Sequence, residues 1–495
     1  MKRLLSFLTF LITIAVLSGS VIAQDTDQRN EENLKYRKWR VTLFPPLSTN
    51  GIKAPEYTAR YSINILGGYH GGLDGIEIGG LINYTKFYAN GLQIAGLANA
   101  SGGNIAGFNI AGGANISKGD MSGIQLAGFG NIAGEDLEGI QAAGLFNIAG
   151  NNSSGLQFAG IGNIAKDDIE GLQGAGIVNA AWGDISGLQA AGVANIARNN
   201  VEGLQAASVL NFAGSDISGL QAAGVANVAF GNIEGLMAAG GVNIALEDAS
   251  GLFAAGLLNI ANNVEGLAAA GVANIGNNLT GLQFAGFLNA SQKSTGLQIG
   301  LINIAQEFEG VPIGLFSIYG NGRKNVDMRF SDAGFTDFGF TSGTYRVYNT
   351  AIFGYNTLLD RDVYRVGLAV GLEKKISDSF ENWSNETMYV NQEFALTHQF
   401  EEKWSSKLNL IYSYKFLVGR RFGSGFSLYG GPTFNAQVTR VPGAVDYTWY
   451  SIWSPDRKGR QYRFWVGFTA GLRLFKQKTV PALKDSFENW DIKWD

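Results

Sequence analysis

Through the middle of the chain, short runs of small apolar residues are broken at fixed intervals by glycine and by single amide side chains. The pattern is clearest in Gly187-Leu188-Gln189-Ala190-Ala191-Gly192-Val193-Ala194-Asn195-Ile196-Ala197. Its leading glycine recurs at Gly91, Gly107, Gly123, Gly139, Gly155, Gly171, Gly187, Gly203, Gly219, Gly235 and Gly251, a period of 16 residues. The period then tightens to 15 through Gly266, Gly281 and Gly296. A short fixed period predicts stacked units, each burying its apolar face only against its neighbours. Glycine every few residues disfavours helix by roughly 1 kcal/mol at each position. No proline lies between Pro55 and Pro312, so every backbone N–H there is free to join a ladder. The units are therefore expected to be β.

Counting the leading glycine as zero, position four is almost always alanine, as at Ala127, Ala143, Ala159, Ala175 and Ala191, which predicts a crowded interior. Position eight is asparagine throughout, at Asn99, Asn115, Asn131, Asn147, Asn163, Asn179, Asn195, Asn211, Asn227, Asn243 and Asn259. Stacked at the ~4.8 Å spacing of adjacent strands, those amides are placed to hydrogen-bond along the stack, a structural corner ladder rather than a catalytic row. Positions twelve and thirteen carry turn formers such as Gly119-Asp120, Asp167-Asp168 and Gly183-Asp184, which puts a second corner there. A calcium-binding roll also uses Asp and Gly at corners. Its Gly-Gly-x-Gly-x-Asp signature is absent, and Asn152, Asn200 and Asn232 interleave with the carboxylates, so no metal site is expected.

The residue before each leading glycine alternates: Ser122, Glu138, Ser154, Glu170, Ser186, Glu202, Ser218, Glu234, Ser250, Glu265. In a parallel coil this keeps Glu from stacking on Glu. In an up-and-down meander it places Ser turns at one rim and Glu turns at the other. The stretch Gly187 to Ala197 is long enough to cross a bilayer as a tilted strand, but Trp182 is the one tryptophan of the repeats and no aromatic girdle accompanies it. The favoured reading is an all-β chain with a parallel β-solenoid of 16-residue repeats, followed by an antiparallel barrel-like or sandwich domain. The alternative is one large up-and-down membrane β-barrel. Asn147 beside both Asn131 and Asn163 marks the first, and their separation to opposite strand ends marks the second.

Composition divides the chain into a signal peptide at 1–23, a mobile lead-in at 24–40, N-terminal strands and cap at 41–90, the repeats at 91–318, an antiparallel β domain at 319–475 and a tail at 476–495. The signal reading rests on Lys2 and Arg3, the apolar run Leu4 to Leu17 and the small residues before Gln24. In the C-terminal domain, strand-like runs at Val363 to Ile376, Met388 to Phe400, Ser406 to Phe416, Phe426 to Val438 and Tyr462 to Phe475 carry Tyr, Trp and Phe near their ends. With two or three strands from 319–361 they make roughly eight, the number of a small barrel. A soluble sandwich capping the solenoid fits the same runs. The hexapeptide Asp-Ser-Phe-Glu-Asn-Trp occurs twice, at Asp378–Trp383 and Asp485–Trp490.

Charge and chemistry narrow the function classes. Loss of Lys2 and Arg3 from 37 basic residues leaves 35 against 41 acidic ones, a net charge near −6, with no basic cluster for nucleic acid. The chain has no cysteine and two histidines, His70 and His398, and it lacks a Gly-x-Ser-x-Gly elbow, a phosphate-binding loop and a His-Glu-x-x-His pair. His70, in Gly67-Gly68-Tyr69-His70-Gly71, reads as a turn residue. Neither catalysis nor a cofactor is expected.

The opening Leu43-Phe44-Pro45-Pro46-Leu47-Ser48-Thr49-Asn50-Gly51, the bridge Gly75-Ile76-Glu77-Ile78-Gly79-Gly80-Leu81-Ile82-Asn83 and the Gly-Leu-Gln-x-Ala-Gly-x-x-Asn units resemble the surface-repeat proteins of Bacteroidetes and spirochaete envelopes. The run Phe340-Thr341-Ser342-Gly343-Thr344-Tyr345-Arg346-Val347-Tyr348-Asn349 extends the likeness beyond the repeats. The resemblance covers most of the mature chain and implies an exported location in the outer membrane or at the cell surface, with periplasm or secretion as alternatives. It carries no functional residue. A structural, adhesive or interaction role is expected, with the outer membrane (through the C-terminal domain) or another envelope component as partner; the alternative is an outer-membrane barrel enclosing a pore or lumen.

Overall fold

The computed structural model describes residues 33–376, 386–401, 403–422, 425–441, 447–457 and 459–475. The signal segment, most of the lead-in, the tail and both copies of the duplicated hexapeptide lie outside the described residues. Two compact units, 1–214 and 215–495, make up the chain.

The first unit is a parallel β-solenoid. Each coil has a seven-residue strand and a four-residue strand, as in Leu137–Ala143 with Phe146–Ala149 and Ser153–Ala159 with Gly162–Ala165. Identical positions pair in parallel: Asn147 lies opposite both Asn131 and Asn163, and Gly155 opposite Gly139 and Gly171. Parallel neighbours cannot be joined by hairpins, so the single up-and-down barrel is excluded. The coils also begin earlier than the regular repeat. Lys35–Phe44 pairs in parallel with Tyr57–Asn64, so residues 35–40 of the expected lead-in are strand. Gly67–Gly79 and Ile82–Ala95 continue the stack, making 41–90 part of the solenoid itself.

The glycine spacing follows from how closely the backbones approach. Gly171 has φ +121°, and a Cβ there would sit 2.2 Å from the carbonyl oxygen of Gly155. At position five, a Cβ on Gly144 would lie 2.1 Å from the carbonyl oxygen of Gly128. At both positions the close approach favours glycine stacked on glycine, with Ser208 the exception at position five. Between them the interior takes Ala at positions four and ten, such as Ala159 and Ala165, and a larger apolar residue at position fourteen, such as Leu137, Ile169, Ile185 and Val201, all buried. The Asp/Asn row at position thirteen has its own reason. The Oδ1 of Asp120, Asp136, Asn152, Asp168 and Asp184 each accepts from the backbone N–H of the equivalent residue one coil on, at 2.7–3.2 Å. A short side chain ending in an acceptor is what that corner requires.

The second unit opens with coils of the same kind, Ile217–Ala223, Ala226–Ala229 and Ile233–Ala239. Where the period falls to 15, each coil becomes one long bent strand, Val242–Ala255, Leu258–Ala270, Ala273–Ala285 and Leu288–Ile299. The lost residue comes from the acidic corner, because the register slips between Ala245 and Asp248 while Asn243↔Asn259 and Gly251↔Gly266 hold.

After the last coil, Ile302–Ile313 with Phe316–Tyr319, eight antiparallel strands close a barrel. They are Arg323–Ser331, Phe335–Gly343, Val347–Asn356, Val363–Lys375, Glu386–Glu401, Asn409–Phe422, Phe426–Thr439 and Arg460–Phe475. The first and last pair through Met328↔Leu472, which makes a barrel rather than a sandwich. Its outer wall also caps the coils of this unit. Asn349 Nδ2 donates to the Ser317 hydroxyl at 2.9 Å and to the Pro312 carbonyl at 3.0 Å, while Ser317 N–H donates to the Ser342 hydroxyl at 2.9 Å. The edge of the last coil is thereby kept from open pairing.

Candidate functional site

In the repeats, the position-eight amides point inward and are fully buried. Each donates Nδ2 to Oδ1 of the asparagine one coil on, at 2.9–3.0 Å from Asn83 to Asn211 and 2.8–3.0 Å from Asn227 to Asn303. The same nitrogen also donates to a backbone carbonyl of the next coil, as Asn147 does to Phe158 at 2.9 Å. Each amide of this row is thus hydrogen-bonded and closed to solvent. A second row at position two runs in the opposite sense, with Gln205 Nε2 donating to Gln189 and Gln189 to Gln173, both at 2.9 Å. The two lines of amide dipoles oppose one another along the stack.

In the first coils the glutamine row becomes charged, because Arg40, Ser62, Glu77 and Gln93 occupy one register. Arg40 Nη2 lies 3.0 Å from Glu77 Oε1, and His70 Nε2 lies 2.7 Å from the same oxygen. His70 is thus a buried strand residue within Gly67–Gly79, correcting its reading as a turn. Burial pushes the Glu77 carboxyl up, but His70 and Arg40 outweigh it and hold the group at about 2. Glutamate standing at Glu77 where later repeats carry glutamine was the sequence signal for this cluster.

The strongest functional geometry is in the barrel, where the sequence signal was an alternation of charge with apolar bulk. In Glu386–Glu401 the inward side chains are Tyr389, Asn391, Glu393, Ala395, Thr397 and Gln399, all buried, while Met388, Gln392, Phe394 and Leu396 face outward and are exposed. Asn409–Phe422 follows the same rule, with Ser413, Lys415 and Leu417 inside and Tyr412, Tyr414, Phe416 and Val418 outside. A barrel of eight strands is just wide enough for side chains to fill, and here they are largely ionic. Arg329 bridges Glu393 at 2.5 Å and Asp327 at 2.7 Å; Lys415 meets Glu393 at 3.1 Å. Arg473 grips Asp327 at 2.8 Å and Glu373 at 3.2 Å, and Glu373 also takes Arg323 and Arg421. Arg365 pairs with Asp337.

Three tyrosines pack across this network by a common device. Tyr348 lies opposite Gly371, Tyr389 opposite Gly419 and Tyr429 opposite Gly471 on adjacent strands. Each ring covers its glycine so closely that a Cβ there would come within 2.2–2.5 Å of the ring Cζ. Arg323, Arg421 and Arg473 stack over the three rings at 4.7, 5.4 and 5.2 Å. A cavity of about 20 Å³ beside Asp337, Arg365 and Lys415 has room for a single water.

The outer wall is the inverse. Val326, Phe338, Phe353, Leu368, Phe394, Leu428, Phe434 and Phe468 are exposed along its middle. At one end Tyr355, Tyr364, Phe400 and Trp404 form a chain of ring contacts 5.1–5.7 Å apart, with Trp453 against Phe464 at 5.2 Å. At the other end the exposed outward residues include Lys324, Lys374 and Arg420. No helix among the described residues is long and apolar enough to cross a membrane, a test that does not apply to strands.

Elsewhere, among the described residues, no group of three or more His, Asp or Glu side chains is arranged to hold a metal. A shallow groove of about 620 Å³ on the outer face of the first unit is lined by Ile110, Leu126, Phe158 and small neighbours, with no polar side chain. No protein-family model matches the chain, and no curated protein or solved structure matches it at a significant level.

Proposed function

We propose that the C-terminal barrel spans a lipid bilayer and that the protein is a non-enzymatic component of a cell envelope, its barrel anchoring the solenoid as a structural or interaction element. One observation carries this reading: the barrel buries Asp327, Arg329, Glu393, Lys415 and Arg473 inside while presenting Phe, Leu and Val outside. In water such an arrangement exposes far more apolar surface than a soluble domain tolerates. In a bilayer, closed pairing satisfies every backbone group and the apolar wall meets acyl chains. The aromatic cluster at one end and the basic residues at the other suit the two interfaces of that layer. The ion-paired interior supports an anchor over a channel, since the side chains fill the lumen.

Export through the N-terminal segment and kinship with envelope surface-repeat proteins complete the proposal. The test is fractionation of the mature chain from residue 24 onward. Membrane retention after alkaline washing, release by detergent and flotation with phosphatidylcholine vesicles are expected. A mature chain that stays monodisperse without detergent and does not float would overturn the reading.

A further inference from the structure

The first coils bury more positive charge than negative. Glu77 Oε1 lies within donor reach of Arg40 Nη2 at 3.0 Å, Asn64 Nδ2 at 2.6 Å and His70 Nε2 at 2.7 Å, and Oε2 accepts from Gln93 Nε2 at 2.9 Å. A carboxyl group with donors on both oxygens is ionised. The other ring nitrogen of His70, Nδ1, lies 2.8 Å from the carbonyl oxygen of Gly72, which can only accept. Both ring nitrogens therefore donate, and the ring is an imidazolium. Arg40, His70 and Glu77 are all fully buried, so two positive charges share one negative charge away from water.

The unmet charge sits on Arg40. Its Nη2 meets Ser62, Asn64 and Glu77, but Nε and Nη1 are buried without a protein acceptor. Burial pulls the guanidinium down, to about 10, because Glu77 offsets only part of the cost of desolvation. Thr42 Oγ1 and the side-chain amide of Asn50 are likewise buried and unpartnered.

Strand pairing brings these three residues together. Arg40 and Thr42 are the two buried positions of Lys35–Phe44 and share its inner face. Thr42 lies opposite Ser48, and the Thr49 N–H donates to the Val41 carbonyl at 3.0 Å. One step further along this antiparallel ladder Asn50 comes opposite Arg40, and residues opposite one another project to the same face. Arg37 and Lys38, exposed on the same strand, add a positive field at this end.

We infer that Arg40, Thr42 and Asn50 form a buried site for one small monovalent anion of the chloride kind. The anion accepts from the guanidinium, the Thr42 hydroxyl and the Asn50 amide, and brings the group of Arg40, His70 and Glu77 to neutrality. Charge selects an anion over water, since water would satisfy the donors and leave the excess charge buried.

The test is hydrogen exchange of the full mature chain in detergent, with chloride replacing gluconate at constant ionic strength. An anion held by the folded coils and released on opening slows exchange in residues 35–95, about tenfold for each tenfold rise in chloride above half-saturation. Barrel peptides are expected to stay unchanged, and bromide to act as chloride does. Thr42→Val and Asn50→Ala, which keep the Arg40–Glu77 pair, should each shift half-saturation upward about tenfold. Equal exchange of the wild-type coils in chloride and gluconate overturns the inference and gives the free donors to water. A chloride dependence that both variants retain unaltered puts the anion elsewhere and overturns it as well.

Discussion

The solenoid and the barrel both bury rows of polar side chains and present many large apolar ones outward, the solenoid keeping further apolar residues such as Leu137 and Ile169 inside, but they satisfy the buried polar groups by different means. The solenoid uses neutral amides, each asparagine bonded to the next and to backbone, so every coil is satisfied by its immediate neighbours. The barrel uses full charges, shared among several strands: Glu393 alone holds Arg329 and Lys415. A neutral ladder depends on repetition, since each amide needs a like neighbour. An ionic network depends on closure, since its partners are far apart in sequence and meet only once the first and last strands pair. Loss of one member should therefore be local and moderate in the solenoid, and global and severe in the barrel.

The sharpest break in that comparison is Arg329→Ala, which leaves Glu393 and Asp327 short of a cation in a buried site. A loss of about 3–5 kcal/mol is expected, read as a lower urea midpoint for the barrel in detergent micelles. Next comes the wall: Phe394→Lys should cost about 2–4 kcal/mol in a bilayer and little in mild detergent, and equal effects in both media would count against a lipid-facing Phe394.

The charged end of the solenoid comes third. Glu77 is held at about 2 against an ordinary 4.5. The unfolded chain takes up this proton first as pH falls, so the stabilisation is complete above 4.5 and disappears as pH approaches 2. Acid melting of the wild-type protein should reveal this loss, and Glu77→Gln should flatten the acid limb.

Asn147→Ala should follow at about 1–3 kcal/mol, the cost of removing the donor to Asn163 Oδ1 and one of the acceptors of Asn131 Nδ2. Faster hydrogen exchange is expected in the adjoining coils, with the barrel unchanged. The smallest effect belongs to Ser154→Glu, which sets three glutamates in register with Glu138 and Glu170. A loss of under about 1 kcal/mol is expected, and high salt should remove it.

The repeat was legible in the sequence because its constraint is steric and absolute: Gly171 fits only over Gly155, and alanine at position four fits only a narrow interior. Strand direction was favoured as parallel and is parallel, but that choice rested on the missing aromatic girdle, because both faces of the coil carry apolar residues. Leu188, Val193 and Ile196 face outward while Gln189 and Asn195 face inward, so apolar content gave no sign of which face was buried. Closure of the barrel was hidden as well, since Met328↔Leu472 joins residues that no local pattern links. Its inside-out character was readable in runs such as Val326-Asp327-Met328-Arg329-Phe330, where isolated charges alternate with apolar residues. The cluster around Glu77 was obscured because its members, Arg40 and His70, lie outside the regular repeat.

The forward-running asparagine row has a consequence for how such a chain changes over generations. Within a run of coils, each asparagine passes its bond to an identical successor, so inserting or deleting one repeat creates no new kind of contact and strands no donor. Contacts outside such a run are of another kind, Arg40 with Glu77 and His70 in the first unit and Ser317 with Asn349 in the second. Within each unit such a run can therefore lengthen or shorten in steps of ~4.8 Å, set by copy number alone.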